Sequence, residues 1–304
     1  MFLEVVRGVL EQGLLWAPMV LGVYVTFRIL NYADLTVDGS FTLGAAIAAQ
    51  LIFVGVNPWL GIGVGVFAGG LAGAVTGLLH TQLKIPALLS GILTMIGLYS
   101  INLRIMGRAN LSLLRLDTVF TDVGRWVTPQ LAALVLAFAT VTVVVVLLYA
   151  FLQTELGFAI RATGDNEQMI RSLGVNTNTM KVIGLALGNC LCALSGSLVG
   201  QFQGFADIQM GIGMIIIGLA SVIIGEVLCG VSTVLRALLA VVAGSVIYRA
   251  VISLVLALGL APTDLKLLTA AIVTVALAFP VLQKRFGGRA LGRSGGAAGI
   301  ERRG

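Results

Sequence analysis

Long apolar runs, separated by short polar breaks, fill most of the chain. The first extends from about Val9 to Leu30 and gives way to the polar stretch Asn31–Ser40. A second, about Ser40 to Val56, stops at the Asn57-Pro58 turn, and a third, Trp59 to Leu79, holds seven glycines. After the polar link His80–Lys84, Pro86 is placed as the first residue of a helix, where its missing N–H costs nothing. The fourth run, Ala87 to Leu103, is only just long enough to cross a ~30 Å hydrocarbon core. A mixed loop from Arg104 to Pro129 precedes the fifth run, Gln130 to Gln153. Beyond a polar centre come Asn176–Gly200, the polar QFQGFAD, Gly211–Leu228, Ser232–Leu258 and Leu265–Leu282. At ~20 residues per span the pattern predicts an all-α, polytopic transmembrane bundle of about nine spans, within room for roughly 8–10. The runs are continuous and lack period-2 alternation, which excludes a transmembrane β-barrel.

Composition agrees. The chain is 58% hydrophobic and 11% charged, with mean hydropathy +1.05, whereas soluble domains carry about 25% charged residues. In such a protein the net charge of +6 sets orientation in the lipid bilayer, so no nucleic-acid partner is implied. Lys284, Arg285, Arg289, Arg293, Arg302 and Arg303 crowd the end of the chain and place the C-terminus in the cytoplasm. Residues 286–304, rich in Gly and Arg, read as a disordered basic cytoplasmic tail, leaving 1–285 as the membrane domain. Glu4 and Glu11, with no small-residue cleavage site, make the first run a retained span. Counting back from a cytoplasmic C-terminus puts the polar centre in the cytoplasm and the N-terminus outside. Arg161, Arg171 and Lys181 agree, but Arg104, Arg108, Arg115 and Arg125 would then lie outside, beside Asp117 and Asp122. Cys190, Cys192 and Cys229 sit in apolar stretches without metal-ligand spacing and read as small buried hydrophobes.

The polar centre, residues 154–174, is TELGFAIRATGDNEQMIRSLG. Its second part predicts a short amphipathic helix with Asp165 as N-cap and Gln168 completing a capping-box-like pair. Met169, Ile170 and Leu173 form a narrow apolar stripe, and Gly174 supplies the left-handed stop. Such a helix fits docking into a partner as well as packing on its own protein.

An internal echo links the two halves. Tyr32-Ala33-Asp34-Leu35 follows the first run and Phe205-Ala206-Asp207-Ile208 follows the sixth, each leading into a Gly-bearing apolar run. With nine spans these junctions lie on opposite faces, as in inverted-repeat transporters whose pathway follows the repeat interface. Asp34, Asp38 and Asp207 fit either a pathway or loop capping, and Asn102, Asn189, Gln201 and Gln203 either a polar path or interhelical hydrogen bonding. Glu226, Arg236 and Arg249 read as an ion pair or as interfacial side chains. The single histidine, His80, makes neither a metal site nor a catalytic dyad, and Ser90, Ser195 and Ser197 lack a GxSxG elbow. No catalytic residues, metal or cofactor are expected.

Glu155-Leu156-Gly157-Phe158-Ala159-Ile160-Arg161-Ala162, then Gly164-Asp165-Asn166 and Ser172-Leu173-Gly174-Val175-Asn176, resemble the cytoplasmic loop of ABC-importer permeases of the branched-chain amino acid, ribose and basic-membrane-protein type. Asp34 to Gly44, DLTVDGSFTLG, resembles that family's segment after its first core span. The likeness covers about residues 10–285 and is nearest to tryptophan/tyrosine-type permeases, which implies an amino acid or similar solute. It also implies a permease homodimer in a bacterial plasma (inner) membrane, cytoplasmic ATPase subunits and an extracytoplasmic solute-binding protein. ATPase coupling would fall to Arg161, Gly164, Asp165, Asn166, Glu167, Met169, Ile170, Arg171, Leu173 and Gly174. The translocation-path candidates are Asp34, Asp38, Asn102, Gln201, Gln203 and Asp207. Lys84, Lys181, Lys266 and Lys284 all lack P-loop flanks, so ATP hydrolysis would belong to the partner. An ion-coupled secondary transporter is the alternative. It would want ionisable groups deep in the spans, where Arg249 stands alone, and a membrane-embedded enzyme would want a His, Asp or Glu cluster.

Overall fold

The computed structural model describes residues 2–257 and, beyond them, Leu267, Ala270, Ala271 and Thr274. Apart from those four residues, the ninth run and the basic tail lie outside the described residues. The chain is an all-α bundle. Helix α1, Phe2–Val23, continues as a π-helical turn, Tyr24–Ile29, and is followed by α2 (Thr36–Phe53), α3 (Pro58–Thr81) and α4 (Ala87–Met106). A short strand β1 (Asn110–Ser112) and helix α5 (Val119–Gly124) lead to α6 (Pro129–Leu152). The polar centre forms two helices, α7 (Glu155–Asp165) and α8 (Glu167–Ser172). Then come α9 (Thr177–Gln203), strand β2 (Phe205–Asp207), α10 (Met214–Cys229) and α11 (Val234–Ala257).

Local chemistry sets the starts. Asn57 accepts the Trp59 N–H at 2.9 Å ahead of Pro58, Thr154 accepts from Gly157, and Asn176 from Asn178 and Thr179. Pro86 stands one position earlier than expected, as the residue before the helix, which begins at Ala87. Seven helices are long and apolar enough to cross a membrane. The eighth, α10, has 16 residues; at 1.5 Å per residue it covers ~24 Å, less than the hydrocarbon core. The described residues thus hold seven helices of spanning length and one shorter apolar helix, α10.

The core lies around α1 and α9. Leu15, Met19 and Leu21 of α1 pack with Phe41 of α2, Leu198 of α9 and Leu238 of α11, all fully or nearly fully buried. Small residues bring α9 against α2 and α3; Gly44, for instance, lies on the backbone of Ala193, where a Cβ would overlap it. The outward faces of α4 and α6 expose Leu89, Leu93, Val143 and Leu147, as lipid-facing surfaces do.

The packing has an internal correspondence. The pairings α2–α3, α2–α9 and α3–α9 recur as α10–α11, α10–α1 and α11–α1. The echo carries it to atoms: Asp34 Oδ1 accepts the Thr36 N–H at 2.9 Å, and Asp207 Oδ1 accepts the Gln209 N–H at 2.8 Å, the same turn in both places. The first turn lies at the end of the bundle that holds α7 and α8, where Leu30 and Tyr32 pack with Ile160. The second lies at the other end of α9, where β1 and β2 pair antiparallel, Leu111 opposite Ala206. That strand pair was not anticipated.

Candidate functional site

The polar centre folds differently from its expected form. Thr154 starts α7, and the helix runs on through Asp165, so Asp165 ends one helix where it was expected to cap the next. Asn166 is the N-cap of α8, its side-chain oxygen accepting the Met169 N–H at 3.0 Å. Helix α8 has six residues and no capping box with Gln168. Gly174 does take the left-handed conformation, with φ 86°. The apolar stripe divides. Ile170 is 7% exposed, while Met169 and Leu173, at 53% and 69%, face outward.

Polar contacts fix this pair of helices to the spans. Glu167 accepts from Lys181 Nζ at 2.7 Å and from Arg171 at 2.8 Å, and Thr177 donates to it at 3.2 Å. The hydrogen bond from Lys181, with its charge and that of Arg171, holds the Glu167 carboxyl below the ordinary glutamate range. Arg161 lies over the ring of Phe158, 5.6 Å from its centroid. Gly164 rests on the carbonyl of Ile29, so α7 touches the end of the π-helical turn directly. Beside it Arg28 and Glu226 form an ion pair at 2.8 Å, joining α1 to α10.

The six path candidates fall into four places. Asp34 is buried; its Oδ2 accepts from Asn189 at 2.6 Å, beside a chain of buried hydroxyls. That chain runs from Thr36 through Thr76 at 2.7 Å to Thr94 at 2.9 Å. Nearby, Tyr32 and Ser90 are 2.6 Å apart, and Tyr32 meets the edge of His80. Gln201 is also buried and accepts the Val119 N–H at 3.0 Å, which holds α5 on α9. Gln203 lies in a shallow depression with Asn110 and Phe205, and Asp207 accepts from Asn110 at 3.1 Å.

Asp38 and Asn102 are brought together in a cavity between α2, α4 and the turn before α10, with Thr42, Met95, Tyr99 and Ile212. Asp38 accepts the N–H groups of Gly213 and Ile215 at 2.8 and 2.9 Å, so it caps the short helix α10 from a neighbouring span. Thr42, Met95 and Tyr99 were missed by sequence reading, where each is one more residue in an apolar run. Of the remaining polar residues, Arg236 contacts Ser232 and Arg249 stacks over Trp16, 3.7 Å from its centroid. The three cysteines are free, and among the described residues no group of His, Cys, Asp and Glu could hold a metal ion.

The bundle thus carries a capped pair of short helices at one end and, beside the start of α10, a cavity lined by Asp38 and Asn102. The chain is 44% identical over 271 residues to a tyrosine transport system permease protein of Clostridioides difficile, covering 89% of this chain and 90% of that one. It is 35% identical over 274 residues to an uncharacterized protein of Rickettsia prowazekii, covering 88% and 95%. The autoinducer 2 import system permease protein LsrC of Escherichia coli is 28% identical over 206 residues, 64% of this chain and 56% of LsrC. No solved structure matches the chain. The relatives with assigned roles are permease components of transport systems, not enzymes. Residues 5–278 match the family model for the branched-chain amino acid transport system permease component, and the chain belongs to that family of inner-membrane, multi-pass permeases.

Proposed function

We propose that this chain, over residues 1–285, is the membrane subunit of an ABC-type importer for an amino acid, with tyrosine the first solute to test. The similarity to a tyrosine transport permease along nine-tenths of both chains supports the solute class. The observation that carries the coupling role is the α7–α8 pair. It is anchored inward by Ile170, Gly164 and Glu167, and it presents Met169 and Leu173 outward. An apolar pair exposed beside a tightly held helix suits insertion into a cleft of a cytoplasmic ATPase subunit. Motion of that subunit would pass to α9 through the Glu167–Lys181 bond and to α1 through Gly164 on Ile29. In this reading α8 and the C-terminal tail face the cytoplasm, and a solute-binding protein delivers cargo at the β1–β2 end. Two copies of the chain enclose the path, with Asp38 and Asn102 along it.

The test is uptake of tritiated tyrosine into proteoliposomes holding the permease, its ATPase and its binding protein. Uptake should require ATP and all three components. Uptake by the permease alone, driven by an ion gradient, would make the chain a secondary transporter.

A further inference from the structure

The cavity between α2, α4 and the turn before α10 measures about 250 Å³. That is below the ~300–1,000 Å³ of pockets that bury drug-sized ligands, and it suits one small solute. Its polar lining combines the Asp38 carboxylate and the Asn102 amide with the hydroxyls of Thr42, Tyr99 and Ser100. Asn102, 1% exposed, donates its amide nitrogen to the Gly39 carbonyl at 3.2 Å, which leaves Oδ1 buried with no hydrogen-bond partner. Buried polar atoms are nearly always paired, so an orphaned oxygen on a residue that lines a cavity calls for a donor. Asp38 receives two backbone N–H groups, yet a carboxylate has about four lone-pair sites. Thr42 commits its hydroxyl proton to the Asp38 carbonyl at 3.1 Å. Among the described residues no Lys, Arg or His lines the space, and Met95, Ile96, Ile208 and Ile212 supply apolar wall.

We propose that this cavity is the solute's station within the membrane and that it holds the solute by its protonated amine. Asn102 Oδ1 and Asp38 receive the ammonium N–H groups, and the apolar wall with the Tyr99 ring receives an apolar or aromatic side chain. The inference rests on the importer reading and adds the handle by which the solute is recognised. An ammonium has three donors and no acceptor, the complement of Asn102 Oδ1 and the Asp38 carboxylate, and the Tyr99 and Ser100 hydroxyls can accept from it as well. Its charge also pairs with that of Asp38, as a buried charge requires. The start of α10, which would attract a carboxylate, is already taken by Asp38, so the solute's own carboxylate points toward the opening.

The test uses the intact permease–ATPase complex in lipid nanodiscs, without binding protein, and tritiated tyrosine as the probe. Saturable binding should be displaced by tyramine, which keeps the amine and ring. The amine-free 3-(4-hydroxyphenyl)propanoate should displace it about tenfold less well or worse, the scale of a lost hydrogen bond to a charged group. Asn102→Leu should weaken tyrosine binding about tenfold on the same ground. Because Asn102 also ties α4 to α2, the competitor series on the unaltered complex decides the matter if that variant does not fold. Equal displacement by the amine-free acid overturns the proposal. So does failure to bind tyrosine in a complex that imports it, and in both cases the importer reading stands. Absence of both binding and import overturns the two together.

Discussion

At the scale of single residues, α8 separates side chains that hold the fold from side chains free to meet a partner. Ile170 is buried under α8, and truncating a buried Ile costs about 2–5 kcal/mol. Asn166 caps the same helix, a bond whose loss costs about 0.5–2 kcal/mol. Leu173 is 69% exposed and packs little against its own protein, so Leu173→Ala should change stability by no more than about 0.5 kcal/mol. If Leu173 fills an ATPase cleft, the same change should weaken association with the ATPase by about tenfold, as truncated interface anchors do. Thermal unfolding of the solubilised permease and co-purification with the ATPase measure the two effects separately. A Leu173→Ala permease that retains its ATPase at wild-type affinity would leave α8 as an ordinary loop helix.

At the scale of elements, what was legible in the sequence follows from the range of the forces involved. The spans were legible because burial in lipid demands long apolar runs and the polar breaks between them are short. Two neighbouring residues with equal capping chemistry, Asp165 and Asn166, were not separable, and the chain chose Asn166 because α7 continues through Asp165. The β1–β2 pair is three residues per strand and joins segments about 95 positions apart, so no local period announces it. The short α10 was hidden because Gly211, Ile212 and Gly213 extend its apolar run without being helical. Asp38 and Asn102 each stood out as polar residues among apolar ones. Their convergence on one cavity is a tertiary fact, since Asp38 reaches its partners 175 and 177 residues away. One tie between elements is testable by pH. Glu167 binds α8 to the start of α9, and its carboxyl is held below the ordinary value of about 4.3, chiefly by Lys181. A lowered carboxylate stabilises the folded state fully above its ordinary pKa, and that contribution is lost as pH falls through the lowered value. Protease cutting near Gly174 should therefore stay constant from about pH 5 to 8 and rise below about pH 4. Glu167→Gln should cut faster at neutral pH and lose most of that dependence.

At the scale of the whole molecule, orientation decides whether any of this couples to ATP. The end holding α7 and α8 carries Arg28, Lys84, Arg161, Arg171, Lys181 and Arg236. The opposite end carries Arg7, Arg104, Arg108, Arg115 and Arg125. Among the described residues the positive-inside bias between the two ends is thus a single residue, and acidic neighbours such as Asp117 and Asp122 contribute little to it. The six basic residues of the tail break the near tie, provided one more crossing follows α11. The ninth apolar run, Leu265–Leu282, is long enough to make it. The expected arrangement therefore places α8 inside the cell and the β1–β2 end outside. Single cysteines at Gln168, exposed on α8, and at Trp126, 91% exposed beyond α5, read the two faces directly. With a membrane-impermeant maleimide on intact cells, and the unaltered chain as the blank, Trp126→Cys should label at once. Gln168→Cys should label only after the membrane is opened. The reverse pattern would put α8 on the side without ATP, where Leu173 and Met169 meet no ATPase, and the coupling role would have to be given up.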